Sequence, residues 1–287
     1  MSTIQTSRRG FLGTAAGIAG LSSVALRSSS ATIVPEPWGI KLGVATYSFR
    51  NFDRAKTIEM VKTLQTPWIS VKDVDRQLSH KSSPEELREA RKEFDDAGLK
   101  VMSVGNVDMK QATTPEAMRT IFEWAKNFGA PMMVCIPSHE TVKLLEPLVK
   151  EYNIKVAIHN HGPEEKDFPT PQSVLAVVKD LDPRCGLCID IGHTARTGKD
   201  VVESIAEAGP RLLDMHCKDL ANFASRDSQC DVGDGIMPFP QIFKQLKKMG
   251  YKGCVNLEYE IHANDPLPGM QRSFSYMRGV LAGLAAA

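Results

Sequence analysis

Gly253-Cys254-Val255-Asn256-Leu257-Glu258-Tyr259-Glu260 alternates apolar and polar residues from Val255 onward. Successive strand side chains point to opposite faces, so Val255, Leu257 and Tyr259 share one side, and Asn256, Glu258 and Glu260 the other. The apolar side calls for covering helices, and the carboxylates then look into an enclosed interior. Seven similar runs precede this strand, at about 41–47, 68–72, 100–105, 131–136, 154–160, 185–190 and 211–216. Amphipathic runs follow the strands at about 54–65, 83–97, 114–128, 138–152, 171–180, 199–208, 238–249 and 269–284. Ser83-Pro84-Glu85-Glu86 and Thr114-Pro115-Glu116 place a cap residue before a proline, and Gly98, Gly129 and Gly250 close helices. Eight such units in about 250 residues predict an α/β fold, a single closed (β/α)8 TIM barrel. An open doubly wound sheet fits less well, because no glycine-rich dinucleotide fingerprint follows the first strand.

The same parity applies to the other strands. Strand five turns Val156 and Ile158 outward, with Ala157, His159 and, past its end, His161 inward. Strand six turns Leu187, Ile189 and Ile191 outward and Cys188 and Asp190 inward. Strand seven aligns His216 with Lys218, and strand two sends Trp68, Ser70 and Lys72 inward. These polar groups fall at the C-terminal strand ends, where barrel enzymes carry their active sites. A lone inward histidine is most often a hydrogen-bonded core residue. Seven titratable groups around one mouth, His159, His161, Asp190, His193, His216, Glu258 and Glu260, would cost several kcal/mol without a compensating cation. One divalent ion, Mn, Zn, Co, Fe or Mg, removes that conflict.

Four segments now stand in order: Ile158-His159-Asn160-His161-Gly162, Ile189-Asp190-Ile191-Gly192-His193-Thr194, Met215-His216-Cys217-Lys218-Asp219, and Gly250-Tyr251-x-Gly253 running into Leu257-Glu258-Tyr259-Glu260. Together they resemble the xylose isomerase-like barrel superfamily, the sugar isomerase and epimerase group that also contains inosose dehydratase and endonuclease IV. The resemblance implies a metal held after strands five to eight by Glu, Asp, His and Glu. Asp190, His216 and Glu258 match that pattern. At strand five His159 stands in place of the glutamate, with His161 as the alternative ligand. The resemblance further implies catalytic roles for Glu258, His161 and His193, and substrate contacts for Lys72, Lys218 and Glu260. For Lys218 a plain salt bridge to Asp219 or a neighbouring carboxylate is the competing reading. Asp231, Gly233, Asp234 and Gly235 resemble a loop that closes over the site.

The implied activity is metal-dependent isomerisation or epimerisation, by removal of a proton next to the carbonyl of a keto-sugar or related polyol. A lyase or dehydratase, inosose dehydratase-like or eliminating from a 3-keto-glycoside, would use the same site. A catalytically silent sugar-binding protein is the alternative from outside enzymology.

Upstream of the barrel, Ser7-Arg8-Arg9-Gly10-Phe11-Leu12-Gly13 precedes an uncharged Gly- and Ala-rich stretch to Leu26 and a serine run ending at Ala31. This order predicts a twin-arginine signal peptide over residues 1–31, a barrel over 32–287 and a periplasmic or extracytoplasmic location. The apolar stretch is a poor membrane span, and no other segment approaches one, so the mature chain is expected not to insert. With 35 basic and 34 acidic residues the net charge is +1, which argues against nucleic acid and for a small-molecule partner. Four of the six cysteines lie in predicted strands, so mostly free, buried thiols are expected. Cys185-x-x-Cys188 is a weak zinc or redox signal without a second pair.

Overall fold

The computed structural model describes residues 37–287, so the twin-arginine motif lies outside the described residues. Eight parallel strands form the barrel: β1 (Lys41–Ala45), β2 (Trp68–Val71), β3 (Lys100–Asp108), β4 (Met132–Ile136), β5 (Lys155–His159), β6 (Cys185–Asp190), β7 (Leu212–Cys217) and β8 (Cys254–Leu257). They close in the order β1-β8-β7-β6-β5-β4-β3-β2. The helices are α1 (Arg54–Thr63), α2 (Pro84–Asp96), α3 (Pro115–Phe128), α4 (Leu145–Tyr152), α5 (Pro171–Val178), α6 (Ile191–Arg196), α7 (Val201–Ala208), α8 (Phe239–Met249) and α9 (Leu267–Ala286). The described residues therefore form a single (β/α)8 TIM barrel.

Local chemistry accounts for the helix boundaries. Thr114 accepts from the Ala117 N–H ahead of Pro115, and Gly129 and Gly250 end α3 and α8 at φ 78° and 63°, a left-handed turn that side chains resist. Three elements differ from the sequence reading. The strand expected to end near 105 runs to Asp108, because a register shift between Val104 and Val107 lets β3 keep pairing with β4. The helix expected from 138 opens as a 3-10 turn at Thr141–Leu144 before α4. Helix α6 was not foreseen; it starts directly on Asp190, whose side chain accepts from the His193 N–H. Beyond β7, Asp219–Leu220 and Gln229–Cys230 form a short antiparallel ribbon.

The outward faces of the strands, including Val255, Leu257 and Tyr259, join Phe94, Phe122, Phe239, Phe243 and Phe274 in one buried apolar cluster. Inside the barrel, Met132, Val134, Ala157 and Cys188 form a smaller one. Beside it, buried Ser70, Ser103, Asp214 and Asn256 hydrogen-bond in a chain below the mouth, with Asn256 Oδ1 left without a partner. Among the described residues no disulfide joins any of the cysteines. Cys185 and Cys188, three apart on β6, fall into the outer and inner clusters respectively and cannot act as a pair. Among the described residues no helix is long and apolar enough to cross a membrane.

Candidate active site

Four consecutive strands each deliver one donor to a common point. His159 ends β5, Asp190 ends β6, His216 lies near the end of β7, and Glu258 follows β8 with its N–H donated to the Cys217 carbonyl at 2.9 Å. One ligand atom from each lies within 4.8 Å of the others, and all four residues are buried. His159 Nε2 is 3.6 Å from Asp190 Oδ2, and His216 Nδ1 is 3.4 Å from Glu258 Oε2. Both His159 ring nitrogens, His216 Nδ1 and Asp190 Oδ2 lack a hydrogen-bond partner. Each buried orphan costs about 1–3 kcal/mol, and one cation at the shared centre would relieve several at once. Two imidazoles and two carboxylates fit zinc, manganese, iron or cobalt. His161 stands outside this group, its ring centroid 5.4 Å from that of His159.

Two buried lysines hold the carboxylates from either side. Lys72 Nζ donates to Asn106 Oδ1 at 2.9 Å and sits 2.7 Å from His216 Nε2 and 3.7 Å from Glu258 Oε1. Lys218 Nζ lies 3.1 Å from Glu258 Oε2, 3.1 Å from Asp190 Oδ2 without hydrogen-bond alignment, and against Glu260. The competing reading of Lys218 as a plain salt bridge is met with neighbouring carboxylates, Glu260, Glu258 and Asp190, and not with Asp219, which accepts from the N–H groups of Gly233, Gly235 and Met237.

Burial alone would raise the carboxyl pKa values. His216, Lys218 and Lys72 outweigh it at Glu258, and Lys218, His193 and His159 do so at Asp190, holding both well below the usual range. Burial works against the Lys218 ammonium too, but Asp190, Glu258 and Glu260 keep it well above its ordinary value. Burial pushes His193 down to about 3 and His216 down to about 4, and lowers His161. These imidazoles are neutral at neutral pH, the form that ligates metals and accepts protons.

Several residues that shape this region escaped sequence reasoning. Asn106 comes from the bulged extension of β3. Asp214 shares the inward parity of His216, a signal that was legible; burial raises its carboxyl to about 6 although Ser103 and Asn256 donate to it. Asn160 bonds the Asp190 N–H and Thr194, tying β5 to the start of α6. The polar loop after strand seven is divided in its roles. Asp231 is committed to Tyr259 Oη and Arg272 Nε, each at 2.6 Å, so the Asp231–Gly235 stretch is an anchor, and Arg226, Asp227 and Gln229 line the mouth instead.

Fold and site together define a (β/α)8 barrel with a buried nitrogen and oxygen donor set at its C-terminal mouth. The chain belongs to the xylose isomerase-like TIM barrel family, which residues 56–280 match. It is 29% identical over 133 residues to the rhizopine catabolism protein MocC of Rhizobium meliloti, covering 41% of this chain and 40% of that protein. It is 30% identical over 123 residues to an uncharacterized protein of Methanocaldococcus jannaschii, 41% of each. The chain thus spans about two fifths of the length of these curated relatives. Among solved structures it resembles the IOLI protein with a binding zinc atom (TM-score 0.69, 17% identity, 85% of this chain and 99% of that one). It also resembles an L-ribulose 3-epimerase (0.68, 14%, 86% and 96%) and the probable 3-DHS dehydratase AsbF of Bacillus anthracis (0.66, 14%, 82% and 98%). At these identities the likeness is one of fold.

Proposed function

We propose that the protein is a metal-dependent enzyme of the sugar isomerase and epimerase kind, removing a proton from the carbon next to the carbonyl of a keto-sugar or related polyol. The observation that carries this reading is the convergence of His159, Asp190, His216 and Glu258, with four of their polar atoms unpartnered, around one point at the barrel mouth. A divalent ion there would polarise the substrate carbonyl and make the neighbouring C–H more acidic. Glu258 is the base: the Lys218 and Lys72 side chains beside it help keep its carboxylate ionised at neutral pH, where it can accept the proton. Lys72 and Lys218 stand ready to donate to oxygen as it gains charge, Glu260 helps orient Lys218, and His161 and His193 handle the second proton. Names among the structural relatives, an epimerase and a dehydratase, are consistent with this chemistry.

One observation favours a second outcome for the same first step. The β5 position carries His159 in place of a glutamate, and Asp190, the other carboxylate of the donor set, is engaged in capping α6, so Glu258 has no glutamate partner to return a proton to carbon. Loss of a β-leaving group, as in a lyase or dehydratase, requires only one carboxylate base. Export by the Arg8-Arg9 signal belongs to the same proposal and would place this chemistry outside the cytoplasm.

The test is solvent exchange. Metal-loaded protein in deuterated buffer should introduce deuterium into a keto-sugar, an inosose or a 3-keto-glycoside, and Glu258→Gln should slow this by about a hundredfold or more. An undiminished rate in that variant would remove Glu258 as the base. Binding with no exchange on any ketone would leave a silent sugar-binding protein.

A further inference from the structure

The mouth is divided into two lobes. One, of about 300 Å3, lies over the donor set between Tyr47, Lys72, Asn106, His159 and Glu258. The other, of about 240 Å3, opens beside it between Gly192, Arg196, Lys218, Asp227 and Gln229. His161, His193, Arg226 and Glu260 line both and form the seam. None of His159, Asp190, His216 and Glu258 reaches the second lobe. Small-molecule sites usually begin at roughly 300 Å3, a bound that the second lobe alone does not reach, whereas the two lobes together pass it and offer room for a ligand of two rings.

We infer that the second lobe is a subsite for a neutral sugar ring joined to the reacting one, so that the substrate is a keto-glycoside and not a free keto-sugar; this rests on the proton-abstraction reading above. The lining selects that class. Arg196, 8% exposed, is paired with Glu164 and lies 3.3 Å from His193 Nδ1; Lys218 is paired with Glu260; Arg226 and Asp227 line the lobe as chain neighbours. Arg196 and Lys218 therefore each carry an acid of their own, so most of the lobe's positive charge is already compensated. Hydroxyls, which both donate and accept, match this mixture of guanidinium, amide and carboxylate groups. Leu220 and Ile261 supply an apolar strip to the same lobe, suited to the C–H face of a pyranose.

The seam then holds the bond that joins the rings. Glu258 takes the proton from the carbon next to the carbonyl, and the C–H electron pair becomes a carbon–carbon double bond. The C–O bond to the second ring breaks, and its oxygen leaves with that electron pair and one proton. The proton delivered equals the proton taken, so the products are an unsaturated keto-sugar and an intact sugar, with no redox change and no water consumed.

Calorimetry on the full, manganese-loaded protein separates the possibilities. A disaccharide of neutral hexoses should bind at least tenfold more tightly than the matching monosaccharide, and Asp227→Ala or Ile261→Ala should bring that ratio close to one. A keto-disaccharide should release free hexose in step with enone absorbance. Equal affinity for the two sugars, or a ratio that survives in both variants, overturns the subsite even if exchange on a free keto-sugar upholds the proposed function. Tighter disaccharide binding without proton exchange on any ketone supports the subsite and removes the catalytic reading.

Discussion

Gly192 has no side chain because Lys218 occupies that space: a Cβ there would meet Lys218 Cγ at 2.7 Å and Cδ at 2.8 Å. Gly192→Ala should therefore tilt Lys218 away from Glu258 and lower the exchange rate at least tenfold, with metal content retained because no donor is lost. Equal rates in the variant and the parent would show that Lys218 is only a counter-ion. Asp190 has divided duties, with Oδ1 capping α6 through the His193 N–H at 2.8 Å and Oδ2 aimed at the other donors. Asp190→Asn keeps a capping oxygen while removing the charge, so it tests ligation without melting the helix. Elemental analysis should find about one divalent ion per parent chain, falling sharply in Asp190→Asn and His216→Ala, since each removes one of four expected ligands. Undiminished metal in both would sink the assignment. His159→Glu should move the product ratio from elimination toward isomerisation, and an unchanged ratio would remove the argument for a lyase.

At the scale of elements, strand parity found the inward groups because alternation on a barrel strand has one meaning, core side or helix side. It failed where alternation breaks. Asn106 lies within the register shift of β3 between Val104 and Val107, and the segment of α6 is too short to show a helical period. Loop roles were the least legible part, since Asp231 and Asp219 look alike in sequence, and only tertiary contact shows that one ties Tyr259 to α9 while the other gathers the N–H groups of Gly233, Gly235 and Met237. Hydrogen bonds to a charged group contribute about 1.5–3 kcal/mol each. Asp219→Ala should thus cost roughly 3 kcal/mol or more and loosen the segment that carries Arg226 and Asp227. Thermal unfolding together with proteolysis at that loop would read this, and protection equal to the parent would discount the anchor. Thr114→Ala should cost only about 1 kcal/mol, the value of one cap, and leave the site untouched.

For the whole molecule, the export reading predicts that replacing Arg8 and Arg9 by lysine strands full-length precursor in the cytoplasm; normal export of that double variant would refute it. The proposed metal would raise a different global question, because the residues that could hold it come from β5, β6, β7 and β8, half of the closed barrel. A small metallodomain would unfold on chelation, since its metal supplies its folding energy. Here two ammonium groups, Lys72 and Lys218, already face the two carboxylates Asp190 and Glu258, and a continuous apolar core surrounds the strands. Chelation should therefore leave the circular dichroism at 25 °C unchanged. Ligand binding adds RT ln(1 + [L]/Kd), about 2.7 kcal/mol at a hundredfold excess over Kd, and about 2–4 °C per kcal/mol holds at this size. The metal-loaded protein should melt roughly 5–10 °C above the chelated form. That increment should shrink to near zero in Asp190→Asn, whose own midpoint without metal should stay close to that of the chelated parent. A chelated parent that is unfolded at 25 °C would mean that the lysines do not compensate the carboxylates, and an increment that persists in Asp190→Asn would place the stabilising ion elsewhere.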